Sequence, residues 1–179
     1  WLHILGGVVG ADAEKNIGAS CYLLVVKLGR KIYHYLIDAG MMSIEGDEVS
    51  WRGPRDLKLL PAILNGRKID HLFFTHAHRD HAGAALLRVI RDNMASTARA
   101  ITTRPTAEFF PHVLRDQIKV SSKKDEHLPY TEWEIHALKK RLFAVNRPRI
   151  IPLAPGISVL TLPAGHIRGA CSFIFLIQD

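Results

Sequence analysis

Between Ser20 and Leu28 the chain reads SCYLLVVKL, and between Lys31 and Ile37 it reads KIYHYLI, two apolar runs separated only by Gly29-Arg30. Runs of this length, rich in branched and aromatic residues, predict strands, and the glycine-containing connection predicts that they pair antiparallel. The second run ends in LIDAG, which sets Asp38 at a strand end beside a glycine free to adopt unusual dihedrals. Residues 41–55 mix glycine, charge and proline and predict an exposed loop. A short helix is expected over Asp56–Asn65, stopped by Gly66, followed by a buried strand over Ile69–Thr75.

Beyond His81 the segment AGAALLRVIRD has the composition of a helix that covers a sheet. RAITT predicts a further strand, and PTAEFFPHVLRDQIKV a helix that Pro111 either interrupts or restarts. Residues 121–129, SSKKDEHLP, read as a polar, mobile connection. Thr131 with Glu134 three residues on forms a capping-box pattern, and Ile135, Leu138, Leu142 and Val145 then fall on one face of the expected helix. Strands over Pro148–Leu153, Ile157–Leu162 and Cys171–Ile177 complete the series. Strands alternating with helices, without repeats, predict one α/β domain over residues 1–179.

Composition refines this picture in three respects. No run approaches the eighteen or so apolar residues of a membrane span, and the N-terminal WLHILGGVVGADAEKN lacks a basic leader, so no membrane partner is expected and the cytoplasm is the expected location. Cys21 and Cys171 sit at apparent strand starts, where they read as small buried hydrophobes. A net charge of +7 favours polyanionic partners over neutral or cationic small substrates and is compatible with RNA or DNA. The basic trio Lys139, Lys140 and Arg141 lies toward a helix end and reads as a solvated face.

The chemistry concentrates in THAHRDH, residues 75–81, directly behind the apolar run IDHLFF. Loops at strand ends are where functional side chains collect. His76 and His78 alternate along a short extended segment, so both imidazoles can face one point, while Asp80 and His81 enter a turn and can face a neighbouring one. The H-x-H-x-D-H pattern therefore reads as ligands for two adjacent cations, imidazole suiting zinc, iron or manganese and the carboxylate adding a harder oxygen.

Together LIDAG, THAHRDH and PAGHIRGA resemble the metallo-β-lactamase superfamily, and TTRPTAEFFPHVLRDQIKV, YTEWEIHALKKRL and AGHIRGACSFIF are similar to its β-CASP branch of RNA-processing nucleases. The resemblance runs from about Leu5 to Asp179 and implies an αββα sandwich with metals at one edge of its two sheets. By motif, it implies that His76, His78 and His166 hold one divalent metal ion and that Asp80 and His81 hold a second, zinc or alternatively manganese. Asp38 matches the aspartate that buttresses the metal loop, and Asp80 also matches a catalytic position. In complete members an aspartate that bridges the metals, in a TGD-type segment, a cap domain and further histidines come later. This chain ends at FIFLIQD, with Asp179 read as a hairpin residue, so it is expected to correspond to the N-terminal portion of such a protein.

The implied activity is metal-dependent phosphodiester hydrolysis, with RNA as the partner and DNA as the alternative. Two other readings stay open: a different hydrolase of the superfamily acting on a thioester or lactam, and a non-catalytic interaction domain. Residues 1–179 alone are expected to be nearly inactive.

Overall fold

The computed structural model describes residues 1–7, 18–43, 51–123, 128–146 and 148–178. The two expected N-terminal strands form as β2 (Cys21–Leu28) and β3 (Lys31–Ile37), joined at Gly29 with φ 57°. A strand the hydrophobic pattern did not predict, β1 (Leu2–Gly6), pairs with β2 on its other side. Within the expected loop at 41–55, β4 (Met42–Ser43) pairs with β5 (Trp51–Arg52); residues 44–50 lie outside the described part. A 3₁₀ turn (Leu57–Leu59) leads into α1 (Leu60–Leu64), which Asn65 and Gly66, both left-handed, terminate as expected.

Next come β6 (Ile69–Phe73), the one-turn helices α2 (Arg79–Ala82) and α3 (Arg88–Arg91), and β7 (Met94–Thr103). The single helix expected after His81 is thus broken in two. Ala82, Ala84, Ala85 and Leu86 are all at most 1% exposed, and the Ala84 N–H donates to the Ala39 carbonyl, so this segment is packed on every side and follows its neighbours rather than its helix propensity. Helix α4 (Arg104–Lys123) runs unbroken through Pro111. Its buried row of Thr106, Phe110, Leu114, Gln117 and Ser121 holds it against the sheet, and that packing outweighs the roughly 3 kcal/mol an internal proline costs. Ser121–Lys123, expected in a mobile connection, belong to this helix, and 124–127 lie outside the described residues.

The capping box forms at the start of α5 (Glu132–Lys139): the Trp133 N–H donates to the Thr131 hydroxyl, and the Thr131 N–H donates to Glu134. The helix ends earlier than expected. Leu142 and Val145 lie in β8 (Leu142–Val145), which pairs parallel with β7, because the i, i+4 apolar spacing that suggested a helix face also fits a strand packed behind a helix end. Arg141 is no solvated residue either; its guanidinium donates to the carbonyls of Ala95, Ser96 and Ala98 at 3.1–3.3 Å.

Six strands make one sheet in the order β1-β2-β3-β6-β7-β8, parallel from β3 onward. Strands β9 (Ile150–Ala154), β10 (Ile157–Pro163) and β11 (Cys171–Ile177) make a second, antiparallel sheet. Alternation along β2 explains how the large sheet serves two cores: Cys21, Leu23 and Val25 face the helices, and Val26 faces the small sheet. Between the sheets Phe73 meets Phe173 and Phe175 edge-on, ring centroids 5.1 Å apart in each case, with Tyr35 stacked on Phe175 at 5.6 Å. Helices, large sheet and small sheet are three layers of the expected αββα sandwich, and the outer face of the small sheet, with Leu162, Ile174 and Leu176, is exposed. Among the described residues no helix is long and apolar enough to cross a membrane.

Candidate metal centre

The parallel strands β3, β6 and β7 end at one edge of the large sheet, so the residues that follow them emerge side by side. Asp38 leaves β3, the THAHRDH loop leaves β6, and the loop between β10 and β11 brings His166 from the other sheet. Two links hold that last loop in place. The Cys171 N–H donates to the Thr75 carbonyl at 2.9 Å, and the Gly169 carbonyl accepts from the Thr103 and Thr106 hydroxyls.

Asp38 organises the centre. It is buried, at 3% exposure, in a left-handed conformation with φ 55°, and its carboxylate accepts three hydrogen bonds of 2.8 Å: from the Thr75 N–H, the Thr75 hydroxyl and His81 Nδ1. Because the Thr75 hydroxyl spends its proton on Asp38, it accepts from His76 Nδ1, 3.0 Å away, which leaves His76 Nε2 bare. His81 is set the same way, its Nδ1 proton on Asp38 and its Nε2 free for a cation. Thr75 is the residue sequence reasoning missed. Its place immediately before the first histidine, within reach of a strand-end aspartate, is the feature that could have revealed it.

The glycine of LIDAG has a different role from the one expected. The unusual dihedral belongs to Asp38 itself, whereas Gly40 is needed for close approach: a Cβ there would sit 1.7 Å from the Asp80 carbonyl oxygen. Residues 39–41 lie along the backbone of the ligand loop, Ala39 N donating to the His81 carbonyl at 2.6 Å and Met41 N to that of Arg79 at 2.9 Å, while Ser20 N donates to that of Asp80 at 2.8 Å. Gly40→Ala is therefore expected to push the two segments apart and cost about 2–4 kcal/mol, more than the 1–3 typical of overpacking. Urea unfolding measures it; a loss under 1 kcal/mol would contradict the close approach.

The three histidines converge. His76 Nε2 lies 3.2 Å from His78 Nδ1, and His166 Nε2 lies 3.3 Å from the same His78 atom. All three ligand nitrogens fall within 4.8 Å of one another. Metal–nitrogen bonds of about 2.0–2.1 Å at tetrahedral angles separate neighbouring nitrogens by about 3.3 Å, a spacing that two of the three pairs match. Protonation favours the same use. Burial, then the neighbouring His81, His78 and His166, push the His76 pKa down to about 4, which keeps it the neutral imidazole that ligates metals.

Asp80 and His81 face a neighbouring point, Asp80 Oδ2 lying 3.7 Å from His81 Nε2. Burial works against a charged His81, but the hydrogen bond and charge of Asp38 outweigh it and raise its pKa. The expected ligands thus divide in space as three and two, with the His76 and His81 ring centroids 4.1 Å apart. Asp179 lies outside the described residues. Both cysteines are free and buried, away from any ligand role; burial, then the charge of Asp38, pushes the Cys171 thiol up to about 12.

The fold is mirrored in known proteins. Residues 17–144 match the Metallo-beta-lactamase superfamily. Similar sequences include Cleavage and polyadenylation specificity factor 73 of Drosophila melanogaster, 28% identical over 90% of this chain and 22% of that protein. Transcription termination factor FttA of Methanosarcina mazei is 27% identical over 100% of this chain and 26% of its own length. Probable RNase MJ4 of Methanocaldococcus jannaschii is 25% identical, over 96% and 36%. The chain thus spans between 22% and 36% of the length of these relatives, within their N-terminal part. The solved structure of MEM-A1, a subclass B3 metallo-beta-lactamase isolated from a soil metagenome library, shares the fold at 20% identity and a TM-score of 0.54, covering 99% of this chain and 58% of that one. The three sequence relatives are of the β-CASP branch that the motifs resemble. With the family matched over most of its length and the histidine loop at the expected sheet edge, this chain belongs to the metallo-beta-lactamase superfamily.

Proposed function

We propose that this chain carries the metal-binding part of a hydrolase that cleaves RNA phosphodiester bonds. The observation that supports it most is the convergence of His76, His78 and His166, with His78 Nδ1 at tetrahedral-edge distance from both other rings, at the sheet edge of a chain with RNA-processing relatives. His76, His78 and His166 would hold one divalent cation, zinc or manganese, and Asp80 with His81 would contribute to a second. A cation pair of this kind supplies Lewis acidity toward a phosphoryl oxygen and an acidified water as nucleophile.

The protein's own residues prepare the site for that chemistry. Thr75 and Asp38 fix which nitrogen of His76 and His81 is bare, so neither ring must change tautomer before binding. Asp80, half-exposed between the loop and solvent, would accept a proton or orient the attacking water as well as ligate. The net charge of +7 assists the approach of a polyanion, which favours RNA, with DNA as the alternative, over a neutral lactam or thioester.

The test is cleavage of a single-stranded RNA by a protein that continues these 179 residues to the length of the relatives. Cutting should vanish with chelator, return with zinc or manganese, and be lost in Asp80→Ala. Hydrolysis of a lactam or thioester with RNA left intact would refute the RNA reading.

A further inference from the structure

Two grooves meet at His78. One, of about 710 Å³, runs between the ligand loop and α4 and has the charged residues Arg79, Asp80, Arg115, Asp116 and Lys119 on its walls. The other, of about 530 Å³, runs toward Pro105, Ile167 and Arg168. Phe109 and His112 line both. They stand three residues apart on α4, so they share a face, and Phe109 is 54% exposed while its neighbour Phe110 is buried at 2%. Trp133 and Ile174 are exposed too, but neither lines a groove that reaches the candidate ligands.

Charge flanks this aromatic face on both sides. Arg115 is turned to Glu132, at 2.9 Å, and Arg104 engages Glu108 at 3.0 Å, which neutralises that carboxylate beside Phe109. Lys119 at one end and Arg168 at the other have no hydrogen-bond or ion-pair partner among the described residues. A flat aromatic surface between two available cations, continuous with a phosphodiester-directed metal centre, matches the chemistry of single-stranded nucleic acid.

We propose that Phe109 and His112 form a stacking face for a base of single-stranded RNA, whose backbone runs between Lys119 and Arg168 past His78. This rests on the RNA reading above and goes beyond it by assigning a base-binding subsite and a preference for unpaired strands. In a duplex the bases already stack on each other and present no free face to the ring. Because every base has a π-face, the subsite selects strandedness rather than sequence.

The experiment measures binding of a fluorescein-labelled single-stranded RNA by residues 1–179 at low salt, by anisotropy. Phe109→Ala should weaken binding about tenfold, in line with the loss of one base–aromatic stack, and Phe109→Trp should restore it. A fully abasic strand of the same length should bind the wild type and Phe109→Ala equally, since neither complex can form the stack. Zinc content and melting temperature should be the same in all variants, since Phe109 is exposed and outside the ligand set. Binding unchanged in Phe109→Ala overturns the subsite while leaving the RNA reading intact. No binding by the wild type removes both. If Phe109→Ala instead converts a dimer to a monomer in sedimentation without altering RNA binding, a second copy of the chain occupies this face and the proposal falls.

Discussion

Asp38→Ala is expected to unfold at markedly lower urea than the wild type and to bind zinc about 10–100-fold more weakly. The carboxylate is the shared acceptor for the Thr75 N–H, the Thr75 hydroxyl and His81 Nδ1. Its removal leaves three part-buried donors without their acceptor, at about 1–3 kcal/mol for each that finds no other partner. Alanine adds a backbone penalty, because residue 38 has φ 55°, a conformation aspartate and asparagine tolerate better. Against a typical total stability of about 5–15 kcal/mol, the loss is large. Asp38→Asn should fall between the two, since it keeps the backbone preference and one accepting oxygen but loses the charge. The metal effect has a separate cause: with Asp38 gone the Thr75 hydroxyl is free to turn, and His76 and His81 lose the bonds that hold their second nitrogens bare. An alanine variant that melts within 1 kcal/mol of wild type and binds zinc equally would refute this role.

The second large effect concerns activity. Residues 1–179 alone are expected to cut single-stranded RNA at least about a thousandfold more slowly than a protein continued to the length of the relatives. Among the described residues only Asp80 and His81 face the second cation position, so a cation held by these alone would lack much of its usual ligand shell, and the clamp on attacking and leaving oxygens would be weak. The grooves beside His78 are also open, so a bound strand would be loosely held and the gain from positioning would be small. The comparison uses one RNA, both proteins, and Asp80→Ala in each. Fast, chelator-sensitive cleavage by residues 1–179, abolished by Asp80→Ala, would contradict it.

How much of this could be read in the sequence differs between sites. The H-x-H-x-D-H loop was legible from local spacing alone, because alternation along an extended segment and entry into a turn fix which side chains share a direction. His166 was not. It meets His78 across 88 residues and from another sheet, a relation visible only through resemblance to a family. Gly40 was singled out for the wrong reason, since close approach to the Asp80 carbonyl depends on a partner segment that no local pattern reveals. The misreading of Leu142 and Val145 has a similar root. Apolar residues spaced by three and four satisfy a helix face, and only pairing of β8 with β7 decides otherwise. Pro111 left two outcomes open, and the buried face of α4 decided between them.

The central claim is that three histidines from two sheets make one tight metal site and that Asp80 and His81 make a weaker one. Zinc titration of residues 1–179, with elemental analysis and zinc-edge absorption of the product, tests it most directly. One tightly held zinc per chain with three imidazole nitrogens at about 2.0–2.1 Å, a second bound at least about tenfold more weakly, and loss of the tight site in His166→Ala are the expected results. Two equally tight zinc ions, or a tight site that survives His166→Ala, would contradict it.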